Sequence, residues 1–195
     1  ARVIADGDLD LVQANGHVFP QADEPDTGTA YRQPTLVVLN DGRGNFQASQ
    51  DLAWAREPVL GRGLAVGDLD GDGAPDLVLT TLDGPTRILM GRPAPGRTVL
   101  RLTGNPPNRD AVGARVVLSD GVAAQQTREV RLQDSYASTR EAALFFALGN
   151  AARGTVRWPS GRTEAIGPLE PGWTYDLAEG RGVVDRRALG GGAGP

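Results

Sequence analysis

Nine consecutive residues, Asp68-Leu-Asp70-Gly-Asp72-Gly-Ala74-Pro-Asp76, place carboxylates at positions 1, 3, 5 and 9 of one short segment, with a glycine at position 6. Alternating acids on a tightly turning loop direct their oxygens toward a common point. Gly73 supplies the backbone freedom the turn needs, and Ala74 offers its main-chain carbonyl from position 7. The chemistry this suits is an oxygen cage for a hard cation, Ca²⁺. The expected ligands are Asp68, Asp70, Asp72, the Ala74 carbonyl and Asp76. Without a cation, carboxylates about 4–5 Å apart repel by on the order of 3–4 kcal/mol per pair at an effective dielectric near 20. The plainer alternative is an acidic turn held by Asx hydrogen bonds and no metal. An EF-hand loop continues to a glutamate at position 12 and lies between helices. Here position 12 is Leu79, and the flanks Gly63-Leu-Ala-Val-Gly67 and Leu77-Val-Leu-Thr-Thr81 read as strands.

Those strands belong to a repeat. Asp6-Gly-Asp8-Leu-Asp10-Leu-Val matches Asp72-Gly-Ala-Pro-Asp76-Leu-Val 66 residues later, and Pro34-Thr-Leu-Val-Val-Leu39 matches Pro85-Thr-Arg-Ile-Leu-Met90 51 residues later. The difference is a 15-residue insertion in the first copy, within Asn15 to Arg32. A period of about 50 residues, dense in short strands, is the size of a propeller blade. Asp6, Asp8 and Asp10 form a weaker second loop, because its first two ligand positions hold Arg2 and Ile4. Asn40-Asp-Gly-Arg-Gly-Asn45 reads as a turn, after which Phe46 is expected to return to the core. Trp54 is expected to pack rather than bind.

From Gly96 the pattern changes to alternating strands over Thr98–Leu102, Val112–Leu118 and Thr127–Leu132. A buried strand at Ala143–Leu148, a hairpin over Thr155–Ile166 and a closing strand at Trp173–Leu177 complete the set. The expected division is residues 1–95, a small antiparallel β domain at 96–178, and a Gly- and Arg-rich disordered tail at 179–195. Charge divides the same way, with net −9 over residues 1–83 and net +5 over 84–195. All 20 basic residues are arginine, but they are spaced along strands without stacking aromatics between them, which argues against nucleic acid. With no cysteine and a single histidine, His17, thiol chemistry is excluded and a histidine-dependent nucleophile has no recognisable partner motif. No apolar run approaches the roughly 18–20 residues of a membrane span. Tyr31, Trp54, Trp158 and Trp173 are the aromatics available to stack on sugar rings.

The Asp-rich loops followed by Asp-Leu-Val, with the Asn-Asp-Gly-x-Gly-x-Phe turn, resemble FG-GAP/VCBS repeats. Asn108-Arg-Asp-Ala-Val-Gly-Ala-Arg-Val116, Arg128-Glu-Val-Arg131, Leu144-Phe-Phe-Ala-Leu-Gly149 and Val156-Arg-Trp-Pro-Ser-Gly-Arg162 resemble the ASPIC/UnbV domain. Their order is similar to that of the cartilage acidic protein-like family and its bacterial secreted members. The resemblance implies an all-β chain: a partial β-propeller of about two blades, one incomplete, followed by the small β domain. It further implies a non-catalytic, calcium-binding module outside the cytoplasm, secreted, periplasmic or on the cell surface. Adhesion, scaffolding or contact with an extracellular protein or glycan is the implied role, and the alternative is an accessory part of a secreted metal-dependent hydrolase. Because the sequence opens inside a repeat, it reads as the C-terminal piece of a longer protein with further blades.

Overall fold

The structure, a computed structural model, describes residues 7–24, 28–49, 51–134 and 138–190. Its first two sheets are three-stranded and antiparallel. Strands β1 (Leu11–Gln13), β2 (Leu36–Asn40) and β3 (Phe46–Ala48) form one in that order. Strands β4 (Gly61–Gly67), β5 (Asp76–Thr81) and β6 (Arg87–Leu89) form the other. The repeat is reproduced at the level of register. Leu11 faces Val38 and Gln13 faces Leu36 in the first copy; Leu77 faces Leu89 and Leu79 faces Arg87 in the second. Alternating side chains tie register to the choice of buried face, so matched apolar positions yield matched pairing despite the insertion.

The insertion leaves the β1–β2 hairpin and reaches toward the second sheet. Gly61 N donates to Asn15 O at 2.8 Å, the Arg62 guanidinium donates to the carbonyls of Gly16 and His17, and Arg32 pairs with Asp83. The Asn40–Asn45 turn forms as its residues require. Asn40 Oδ1 and Asp41 Oδ1 accept backbone N–H groups within it, and Gly42 and Gly44 take positive φ. Phe46 does not return to the core as the sequence suggests; it is 52% exposed. The small apolar cluster under this sheet is filled by Val37, Leu52 and Ala55, with Trp54 of the one-turn helix α1 (Ala53–Arg56) packed against it. Phe46 sits on an edge strand whose three residues are all exposed.

The rest of the chain builds two four-stranded sheets around one larger core. One has the order β10-β7-β13-β14, from β7 (Arg97–Thr103), β10 (Ala143–Ala147), β13 (Trp173–Ala178) and β14 (Gly182–Ala188). The other is β12-β11-β8-β9, from β8 (Arg115–Ser119), β9 (Gln126–Glu129), β11 (Ala152–Arg157) and β12 (Thr163–Leu169). Leu100, Phe146 and Leu177 of the first sheet share a core with Val116, Val156 and Trp158, which follows β11. The buried Gln126 amide joins the sheets, donating to Ala147 O at 2.5 Å and accepting from Ala147 N at 3.3 Å.

The sheets are antiparallel as expected, with one parallel pair among them: β13 runs beside β7, Thr174 facing Val99 through Ala178 facing Thr103. Five strands lie between them, β10 in the same sheet and β8, β9, β11 and β12 in the other, and the chain then returns in the same direction. One expectation is corrected here: the segment expected to be a disordered tail contains β14, an edge strand antiparallel to β13 from Trp173–Ala188 to Ala178–Gly182. Gly180 and Gly182 take the positive φ of the turn, and Arg186 lies 4.5 Å over the Trp173 ring. The strand's exposed charged residues Asp185, Arg186 and Arg187 suit a solvent-facing edge, where charge discourages further pairing.

Two outcomes are expected from this packing. Trp158, 2% exposed, leaves a cavity when truncated, so Trp158→Ala should destabilise the two-sheet core by about 3–5 kcal/mol, read from urea unfolding. At the β8–β9 turn, Asp120 accepts from the amides of Val122, Ala123 and Gly149, and these bonds hold its carboxyl down at about 2. Its folded value lies below the ordinary 3.8, so its stabilisation is present above that pH and is lost as pH falls toward 2. A carboxyl ¹³C titration should find the midpoint near 2.

Candidate metal centre

The Asp-rich segment is the connection between β4 and β5, closed where Gly67 pairs with Asp76. The turn passes through Gly71 at φ +77° and Gly73 at φ +81°, a left-handed backbone that strains residues bearing a Cβ. The outcome is a shared focus: one carboxylate oxygen each from Asp68, Asp70 and Asp76 lies within 4.8 Å of the others. Asp72 is not one of the three. Its side chain is buried at 2% exposure and Oδ1 accepts from Ala74 N at 2.7 Å. Ala74 is buried beside it.

Backbone N–H groups fix the acids in place. Asp68 accepts from Gly71 N at 2.9 Å and Gly73 N at 3.1 Å, and Asp70 accepts from Asp72 N at 3.2 Å. Asp76, 1% exposed, takes Leu69 N at 2.7 Å on Oδ2 and Gly91 N at 2.6 Å on Oδ1. These are the Asx turns of the plainer reading, and they coexist with a metal site because each carboxylate oxygen has a second lone pair. Burial pushes the Asp68 carboxyl above its ordinary value of 3.8, and the charges of Asp72 and Glu141 push the same way against the pull of Gly73 and Gly71.

Whether the donors fit an ion is a matter of size and chemistry. Oxygens on opposite sides of a Ca²⁺ ion at about 2.4 Å lie about 4.8 Å apart, so three oxygens within that span fit one coordination sphere. The donor set is oxygen throughout, as a hard cation requires. Asp68, Asp70 and Asp76 are therefore the residues that would hold it.

The first loop shows the same scaffold with less of the cluster. Asp6 lies outside the described residues. Asp10 Oδ1 accepts from Asn40 N at 2.9 Å, the repeat equivalent of the Asp76–Gly91 bond. Asp8 lies near the half-buried Arg128, whose Nη2 donates to Gly7 O at 3.0 Å. Neither Asp8 nor Asp10 joins a cluster of three ligand-type side chains among the described residues.

Residues outside the motif complete the surroundings. Glu141, 65 positions after Asp76, accepts from Asp68 N through Oε2 at 2.9 Å and pairs through Oε1 with Arg101 at 2.5 Å. Arg97 donates through Nε to Asp72 O and through Nη2 to Gly190 O, while Gly190 N donates to Gly71 O at 3.2 Å. The nearest sequence signal was the charge contrast between the two halves, which does not single out a residue.

The other candidates sit apart. His17 Nδ1 accepts from Phe19 N within the insertion. Of the aromatics considered for sugar stacking, Trp158 is buried in the core, Trp54 packs against the small cluster and Trp173 carries Arg186 on its face; Tyr31 N donates to Asp23. A cleft of about 1100 Å³ is lined by apolar residues of the second sheet, among them Leu64, Val66 and Leu77, and by Arg115, Arg128 and Glu129 of β8 and β9.

Comparison with known families agrees with this anatomy. Residues 60–96, spanning β4 to β6 and the Asp loop, match the FG-GAP repeat. Residues 104–184, most of the two-sheet unit, match ASPIC and UnbV. No curated protein matches the chain. The β4–β6 sheet with its acidic turn is an FG-GAP repeat, and the chain joins it to an ASPIC/UnbV domain.

Proposed function

We propose that this protein is a calcium-stabilised binding or scaffolding module that works outside the cytoplasm. The observation that carries the reading is the convergence of Asp68, Asp70 and Asp76 at a turn whose backbone already holds each carboxylate. FG-GAP repeats are typical of extracellular proteins, where calcium is millimolar. No helix among the described residues is long and apolar enough to cross a membrane. Both matched domains are generally non-catalytic modules. A calcium ion bound there would supply charge neutralisation, letting the acids stay ionised in a folded turn. The partner is an extracellular protein or glycan, and the cleft with its apolar residues and arginines is the concave surface available to it.

The energetic scale follows from linkage. At a Kd of about 10⁻⁴–10⁻³ M, usual for extracellular modules, 1 mM calcium stabilises by about 0.4–1.4 kcal/mol per site. Calorimetric titration should give one such site, and chelation should lower the melting temperature by a few degrees. Asp70→Ala removes an exposed ligand that accepts only Asp72 N among the described bonds, so this variant should melt like the chelated wild type with or without calcium. An identical wild-type melt in calcium and in chelator would rule out the proposed role.

Asp76→Ala is expected to behave differently. It leaves Leu69 N and Gly91 N without their acceptor, so it should cost about 2–4 kcal/mol even in chelator, measured by urea unfolding. The pH dependence has a defined sign as well. Asp68 holds its proton more tightly folded than unfolded when no ion is bound, so stability in chelator should decline as pH rises from 3.8 through the raised value. The calcium-induced gain in melting temperature should grow across that window, since the ion takes the ionised form. Asp68→Asn should flatten the chelated profile.

A further inference from the structure

We infer that the ASPIC/UnbV domain docks directly on the acidic turn, so that calcium occupancy and domain docking are one linked equilibrium in which Glu141 and Arg97 are the positioning residues. The inference rests on the calcium reading above and adds to it a form of regulation.

The turn is held in two places by residues beyond the matched repeat. Ser138 and Glu141 lie along β4, which is the unpaired edge of its sheet. Leu64 N donates to Ser138 Oγ at 3.3 Å, Glu141 N donates to Val66 O at 3.1 Å, and Glu141 Oε2 accepts from Asp68 N at 2.9 Å. These three contacts, on alternate residues 64, 66 and 68, extend the edge of β4 to the first acid of the cluster. Glu141 is itself fixed by Arg101 of β7, whose Nε and Nη2 both reach Oε1.

A second hold comes from Leu189 and Gly190, just past β14. Arg97, at the start of β7, donates to Asp72 O in the turn and to Gly190 O, bridging the two. Gly190 N returns a bond to Gly71 O. Leu189 lies so close to Gly73 that a Cβ there would fall 2.5 Å from its Cδ1. The turn conformation that gathers the three carboxylates is thus the conformation that accepts the domain. A ligand preferring one state of a coupled pair must, by reciprocity, favour its partner state too.

The test uses the full chain and calcium alone. Calorimetric titration of Glu141→Ala and Arg97→Ala should show calcium binding weakened about tenfold each, the scale of one unpaired backbone group or lost charge-assisted bond. Glu141→Gln keeps an acceptor for Asp68 N and should stay within about threefold of wild type. Hydrogen exchange on the wild type, which needs no variant, should slow on calcium addition at the amides of Glu141 and Gly190 as well as inside the turn. If the wild type binds calcium while both alanine variants keep its affinity and protection stays within residues 60–91, the linkage is wrong and the calcium site stands. If the wild type takes up no calcium at all, both readings fall together.

Discussion

Four aspartates within nine residues repel one another, and the region around them is organised to make that tolerable. Every one of the four accepts at least one backbone N–H: Asp68 from Gly71 and Gly73, Asp70 from Asp72, Asp72 from Ala74, and Asp76 from Leu69 and Gly91. The glycines at positive φ are what allow so many amides to turn inward over so short a span. Asp76 does the most. It is the first residue of β5, the partner of Gly67 across the hairpin, and the acceptor that draws Gly91, two residues past β6, back to the turn. The three strands of the repeat and the acidic turn are consequently one cooperative unit.

The same unit solves the problem of its own edge. A three-stranded sheet leaves β4 with unpaired main-chain groups, which invite association with other chains. Here Ser138 and Glu141 take that place. On the other copy, Arg128 performs a related task, reaching Gly7 O from β9 while also donating to Phe145 O and lying 5.4 Å from the Phe146 ring. Both repeats thus rest on the ASPIC/UnbV domain through arginine and glutamate side chains aimed at main-chain atoms.

Much of this was legible from residue pattern because it is local. The strands flanking the Asp turn, the Asn40–Asn45 turn and the repeat with its insertion depend on spacing and turn chemistry that nearby residues determine. What escaped detection depends on distant partners. Phe46 reads as a core residue by hydrophobicity, yet it lies on an exposed edge while Leu52 and Ala55 fill the space. Strand β14 reads as a tail because Gly and Arg dominate the whole segment 179–195, although Leu177-Ala-Glu-Gly-Arg-Gly-Val-Val184 carries a hairpin signal. Alternation alone cannot reveal that β13 meets β7 in parallel, since it marks faces and not directions. Within the candidate site, the spacing named Asp68, Asp70 and Asp76, but it gave no means of seeing that Asp72 turns to Ala74, or that Glu141 arrives from another domain.

The insertion between β1 and β2 shows what a hairpin tolerates. Lengthening that connection by 15 residues relative to its counterpart adds only about 1 kcal/mol of loop-closure entropy, because the cost grows with the logarithm of length. The bonds from Gly61, Arg62 and Arg32 are of a size to offset it. A tandem fold can therefore vary at its hairpin tips while strand alignment stays constant, and in this molecule one such tip has become a strap from the first sheet to the second.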